Sequence, residues 1–395
     1  MLTVILLVPV LFGAAALSVD VGNLMWERRQ LQNGADATVM LAAQKCADAP
    51  TACSPSAAAG SNLDTIDNAN ANDGVSRVRS VCGSAAAVAL SPATLTPCPS
   101  NATPGVTDCP TVPTGAAGLP YLEARTETKT PAGTSTISNK FARMLVGGTS
   151  QSTVVACARA GWGPVNPTTL NVLPIVVSYC EWARQTGYKP PPGPPAVYPP
   201  SPDGSITPYG YGPGNPWSTS WEKTIYTKGA IGTCPTWNGH TAPGGFSQLD
   251  TVTTCSVATT NGDWYHGQPG NSTPCPDASF NTLVGTIVYL PIFDCMTNTT
   301  SVDPTDPATN CNSGNGNNTY YHVSGYAAFY LTGWYFSSST KASIVTGNVP
   351  CTGGDRCMSG WFTKDLITAA QLQQLTNPPG GGAPNYGLTQ VGPLG

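Results

Sequence analysis

Leu2 to Val19 is a run of eighteen residues without a charge, and nothing that would end a helix separates it from the residues after Val19. At 1.5 Å per residue the run spans roughly 27 Å, close to the ~30 Å hydrocarbon core of a bilayer. Pro9 and Gly13 would weaken a helix in water, but helices in lipid tolerate them. Beyond the run, Leu24, Leu31, Ala35, Val39 and Ala42 recur at helical spacing and mark one apolar stripe. One long helix therefore accounts for the start of the chain. Residues 1–19 are read as a transmembrane segment and 20–45 as a helical stem, and everything after Cys46 becomes cargo on that stem.

A cleaved signal peptide is the alternative, and Ala16-Leu17-Ser18 supplies a small-x-small site. No basic residue precedes the run and the helical pattern carries on past that site, so a retained anchor is expected. Met1 stands directly at the start of the run, so a basic stretch is expected upstream of it. The first basic residues, Arg28 and Arg29, follow the span, which by itself favours a stem on the inner side. The long polar remainder points the other way, since long translocated domains override flanking charge.

That remainder carries all fourteen cysteines: Cys46, Cys53, Cys82, Cys98, Cys109, Cys157, Cys180, Cys234, Cys255, Cys275, Cys295, Cys311, Cys351 and Cys357. None forms a CxxC pair, and His240, His266 and His322 are too few for repeated zinc sites. Disulfides formed outside the reducing cytosol are the direct reading. By loop length alone the cheapest closures are Cys46/Cys53, Cys98/Cys109 and Cys351/Cys357. Charged residues are only 10 %, with a formal net charge of −4 and no basic stripe, which excludes nucleic acid as a partner. The expected fold class is α+β: a long N-terminal membrane and stem helix, then a disulfide-rich, mainly β ectodomain.

The N-terminal residues carry a pattern. Val19-Asp20-Val21-Gly22, then Arg28-Arg29-Gln30-Leu31-Gln32-Asn33, then Ala35-Asp36-Ala37, behind an apolar helix with Pro9 midway, resemble the signature of TadE/TadG-like proteins of the Tad (Flp-type) pilus system. Gly34 stands where that family usually has Ala and is expected to loosen the helix. The remainder resembles the large Cys-rich members of Gram-positive bacteria, through Leu173–Trp182, Trp264–Gly267 with Pro269–Asn271, Leu290–Asp294, Tyr320–Phe329 and Cys351–Phe362. The resemblance implies an envelope-anchored minor pilin or assembly factor and brings no catalytic residues. Its partners would be the cell membrane, other pilin-like subunits and the Tad secretion machinery. The residues expected to matter lie on the membrane and assembly helix: Asp20, Gly22, Glu27, Arg28, Arg29, Leu31, Gln32 and Asp36. Asp20 and Glu27, seven apart, share a face, and Asp20 reads first as an interfacial acid in water or headgroups. The sharper reading pairs it with a cation on a neighbouring helix during assembly.

Residues 46–120 read as a Cys-containing, turn-rich region. In the α+β ectodomain, 121–376, strands are predicted over Tyr121–Lys129, Thr153–Gly161, Val172–Trp182, Trp221–Tyr226, Leu283–Phe293, Tyr320–Phe336 and Met358–Phe362. Ile137, Phe141, Met144 and Leu145 predict a short helix, and Asp365–Leu375 another. Residues 189–217 are a Pro/Gly-rich insertion with polyproline character, and 377–395 read as a flexible tail.

No chemistry stands out. Asp303, Asp306, Asn310 and Asn312 lack EF-hand spacing. A hydrolytic triad using a histidine with Asp250 or Asp294 has no GxSxG elbow to support it. Asn101, Asn271, Asn298 and Asn317 head sequons, and Tyr198, Tyr209 and Tyr211 are ring-bearing loop residues. The expectation is a binding protein without cofactor or metal: a pilus component, or alternatively a membrane-anchored adhesin outside any pilus, with a secreted hydrolase as a third reading.

Overall fold

The computed structural model describes residues 2–48, 52–99, 109, 112, 118–138, 151–164, 169–186, 222–228, 248–249, 255–267, 275–300, 302–303, 311, 319–336, 339–363, 365–367 and 386–394. The chain divides into two compact units. Unit 1 is Met1–Trp162 with Val391–Gly395, and unit 2 is Gly163–Gln390.

Unit 1 opens with α1 (Leu2–Asp48), one unbroken helix of 47 residues, ~70 Å long at 1.5 Å per residue. The side chains of 2–13, 16 and 17 lie outside the described residues. Then come α2 (Asn62–Asn70), β1 (Ser76–Gly83), α3 (Ala85–Leu90), β2 (Tyr121–Thr128), β3 (Ile137–Ser138), β4 (Gln151–Ser152) and β5 (Val155–Pro164). Ser61 and Ser84 cap α2 and α3, each accepting from the backbone N–H three residues on. β2 pairs antiparallel with both β1 and β5. β2 and β5 are thus adjacent and antiparallel. Leu122, Ala124, Thr126 and Thr128 line one face of β2, as the alternation predicts, and all are buried.

Unit 2 contains β6 (Thr169–Val172), β7 (Val177–Ser178), α4 (Tyr179–Thr186), β8 (Lys223–Lys228), β9 (Val257–Thr260), β10 (Trp264–His266), α5 (Asp277–Asn281), β11 (Ile287–Thr297), β12 (Tyr320–Phe336), β13 (Ser339–Lys341), β14 (Arg356–Thr363) and β15 (Asp365–Ile367). The last strand, β16 (Leu388–Pro393), starts in unit 2, pairing in parallel with β15. The main sheet runs β7-β11-β12-β14-β8, with β10 and β13 also pairing along β12. The seventeen-residue β12 is its spine. Ile175, Trp182, Ile225, Phe280, Leu290, Ile292, Phe329, Leu331, Trp334, Phe336, Met358 and Phe362 form the core on it. Phe280 meets Trp334 edge to face at 5.0 Å, and Trp182 meets Tyr386 at 4.9 Å. Gly360 is obligatory in β14: it takes φ +152°, and a Cβ there would strike the carbonyl of Tyr330.

Four sequence expectations fail. The predicted strand Val172–Trp182 is strand only at Val172 and Val177–Ser178 and then turns into α4, because the Ser178 hydroxyl accepts the Glu181 N–H at 3.0 Å and caps a helix. Asp365–Ile367 is a strand, not the start of a helix, and 368–375 lie outside the described residues. Ile137–Ser138 is likewise strand, paired with β4 where a helix was expected; Phe141, Met144 and Leu145 lie outside. The tail is not wholly flexible: Leu388 and Val391 are buried in β16 and Leu394 just beyond it.

Six disulfides are described: Cys46–Cys53, Cys82–Cys98, Cys109–Cys157, Cys255–Cys275, Cys295–Cys311 and Cys351–Cys357. Cys180 is also disulfide-bonded. Two of the loop-length expectations hold. Cys98/Cys109 does not, because the chain passing Cys98 runs back along the end of β1, where Cys98 N–H donates to Gly83 O at 2.9 Å, and Cys82 is the nearer thiol. The insertion 189–217, Cys234 and Asp250 lie outside the described residues.

Candidate functional site

From Asp20 onward α1 has two different faces. Leu31, Ala35, Val39, Ala42, Ala43 and Cys46 are buried, and Leu24 is half-buried, so the stripe read from the sequence is the docking face. Polar side chains fix its register. Thr126 Oγ1 of β2 donates to the Leu31 carbonyl at 3.0 Å, and Thr38 Oγ1 donates to the Leu63 carbonyl of α2 at 3.4 Å. Gln32 Nε2 donates to the Cys157 carbonyl of β5 and to Asp36 Oδ1, both at 3.1 Å. The Asn72 N–H donates to Gln30 Oε1 at 2.6 Å.

The predicted residues divide between the faces. Leu31 is buried and Gln32 half-buried on the docked side. Gly22, Arg28, Arg29 and Asp36 are exposed, Asp20 is buried and Glu27 is half-buried. Burial pushes the Glu27 carboxyl up against a lowering hydrogen bond from Thr128, and the Asp73 charge pushes it further up. Burial also raises Asp36, with Gln32 opposing. The sequence reading missed Met25 and Trp26, which are 58 % and 61 % exposed, with Val19 and Val21 beside them. Their signal was their place off the Leu24–Leu31 stripe yet directly before Glu27-Arg28-Arg29. The stretch Val19–Arg29 therefore joins large exposed apolar side chains to two exposed arginines, a composition suited to partner contact.

Two further nodes in unit 1 went unseen. Gly34, read as a loosening departure, is a close-packing position: a Cβ there would fall on Asp67 Oδ1 of α2. Asp67 is 1 % exposed, and its carboxyl is pushed up to about 7, chiefly by burial, with the Asp64 charge adding and Ser76 opposing. In β2, Glu123 is buried and takes Arg125 on Oε1 and Arg159 on Oε2, each through Nη2 at 2.8 Å and Nε at 2.9 Å. Glu123 also lies near the Cys82–Cys98 and Cys109–Cys157 sulfurs. Those sulfurs are tied up as disulfides, so the grouping is not a metal-ligand set.

In unit 2, β10 and β12 bring His266 beside Tyr320 (5.0 Å between rings) and His322 beside Trp264 (5.3 Å). His322 Nδ1 pairs with Asp294 Oδ1 at 2.6 Å. Burial pulls His322 down, but the Asp294 hydrogen bond and charge, a bond to the Gly262 backbone and the Asp263 charge together hold it above its ordinary value. Asp294 of β11 and His322 of β12 thus make a cross-strand contact beside the Gly262 backbone.

Residues 1–45 match the Tad family of Flp pilus-assembly TadE/G-like proteins. The N-terminal helix is similar to a TadE/G-like segment. The match ends where α1 approaches Cys46, so it covers most of that helix and leaves the rest of unit 1 and all of unit 2 unmatched. No curated protein and no solved structure matches the chain. Among the described residues no helix is long and apolar enough to cross a membrane. The side chains of most of the expected span, 2–13, 16 and 17, are outside that set.

Proposed function

We propose that this protein is a membrane-anchored, minor pilin-like or assembly component of a Tad-type pilus. The single observation that carries the reading is that the TadE/G-like segment forms one continuous helix with two fates. Its C-terminal half is docked on unit 1, and Val19–Arg29 leaves Val21, Met25, Trp26, Arg28 and Arg29 exposed. In this reading the charge-free run holds the chain in the cell membrane as a single pass, and the exposed stretch engages pilin-like subunits or the secretion machinery. The disulfide-tied units face the outside, where cystines persist, and serve cell-surface adhesion or pilus biogenesis by binding rather than catalysis.

The test is in cells. A photo-crosslinking residue at Met25 or Trp26 is expected to capture Tad pilus subunits or assembly proteins, and deletion of the gene is expected to reduce surface pili and adherence. Unchanged piliation and adherence after deletion would sink the reading. Lost adherence with intact pili and no crosslink would point to an anchored adhesin outside the filament.

A further inference from the structure

The contact between α1 and α2 contains an acid that the proposed function does not use. Asp67 sits on α2 against Gly34 of α1, so close that no side chain larger than hydrogen fits opposite it. It is 1 % exposed, and among the described residues neither of its oxygens has a hydrogen-bond partner of good geometry. Asp64, one turn earlier, is also buried and has one oxygen in the same state. A carboxylate left this way is costly in its charged form and acceptable in its neutral one.

Among the described residues the surroundings offer no compensating cation. On α2 itself the neighbouring charge is Asp64, which makes ionisation harder. On β1, Ser76 gives Asp67 only weak help, since its N–H and hydroxyl already serve Asn68 Oδ1 at 2.7 and 3.3 Å. The β1 arginines, Arg77 and Arg79, are half-exposed and lean on Glu127. On α1, Gly34 faces Asp67 while Arg28, Arg29 and Asp36 are exposed, and Glu27 is an acid held by a Thr128 hydrogen bond and repelled by Asp73.

We propose that Asp67 is a proton-operated latch between the stem helix and α2: neutral, it lets α1 dock through Gly34, and ionised, it loosens that contact and frees the docked half of the helix. The direction is set by linkage. The docked state holds the proton more tightly than an undocked carboxyl with a pKa of about 3.9. Docking is therefore fully supported below that value and progressively weakened as pH rises to neutrality. With a docked value of about 7, the undocking equilibrium rises about tenfold between pH 6 and pH 8.

The experiment is hydrogen–deuterium exchange on the full chain in neutral detergent, following peptides over residues 31–43 after correction for the intrinsic pH dependence of exchange. Protection is expected to fall about tenfold from pH 6 to pH 8 in the wild type, and to be flat in Asp67→Asn, which stays neutral. A flat wild type, or an Asp67→Asn variant with the wild-type slope, overturns the latch. If Asp67→Asn does not fold, carbon-13 NMR titration of the wild-type Asp67 carboxyl decides: a midpoint near 7 supports the latch and one near 4 overturns it. None of these readouts requires a pilus, so the latch and the pilus assignment fail separately.

Discussion

The β2 strand of unit 1 and the β12 strand of unit 2 are both central and both buried, yet they bury opposite chemistry. On β2, between the apolar positions that meet α1, the other face carries Glu123 clasped by Arg125 and Arg159 and Glu127 paired with Arg77. On β12 the buried positions are Phe329, Leu331, Trp334 and Phe336, against the rings and aliphatics of β11, β14 and α5. Ring-on-ring packing tolerates small slips and rewards area. A buried ion pair tolerates none, because removing one partner strands the other. Unit 2 is held by bulk, unit 1 by placement, and unit 1 is where the stem helix must sit in one register.

Substitutions break this comparison in a graded way. Trp334→Ala is expected to have the largest effect, ~3–5 kcal/mol of unit 2 stability in urea unfolding followed by fluorescence, since it empties the centre of the aromatic core. Glu123→Ala is expected to cost about 3 kcal/mol in unit 1 because Arg159 is left buried without its carboxylate. Removing Glu123, Arg125 and Arg159 together for apolar residues of similar volume should recover most of that loss. If Glu123→Ala alone is neutral, the placement argument is wrong. Gly34→Ala should cost ~1–3 kcal/mol by overpacking against Asp67, although alanine is the better helix former, and loss of α1 docking by circular dichroism and exchange would register it. The smallest effect is a pH dependence from His322. Its folded value is raised, so its contribution is full below its ordinary pKa of about 6.5 and lost as pH rises through the folded value. His322→Gln should flatten that slope in unit 2 unfolding.

Strands β8, β11, β12 and β14 were legible because their pattern is dense: β12 begins and ends at the residues its aromatic run predicts. The docking stripe of α1 was legible for the same reason, as a period carried by Leu31, Ala35, Val39 and Ala42. What stayed hidden has local causes. The run Val172–Trp182 is apolar throughout, and periodicity alone does not separate a buried strand from a buried helix. The Ser178-x-x-Glu181 box inside it was the available cue. The β16 strand was concealed by the Pro/Gly-rich composition before it. Gly34 looked like a defect because its partner, Asp67, is thirty-three positions away, and a single sequence has no term for what a missing side chain makes room for. The Glu123 cluster was concealed differently: alternating charges on a strand ordinarily mark a wet face, and here two disulfides lie beside that carboxylate.

The chain order of the two units carries one more consequence. Residues 391–395 belong to unit 1, where the Leu394 N–H donates to the Arg159 carbonyl at 3.0 Å and the Leu394 side chain fills the space over Gly161. Between Arg159 and Leu394 the ribosome makes all of unit 2. Unit 1 is therefore completed only after unit 2 has been made, when residues 391–394 join it. A chain interrupted anywhere in unit 2 lacks the Leu394 contacts to Arg159 and Gly161.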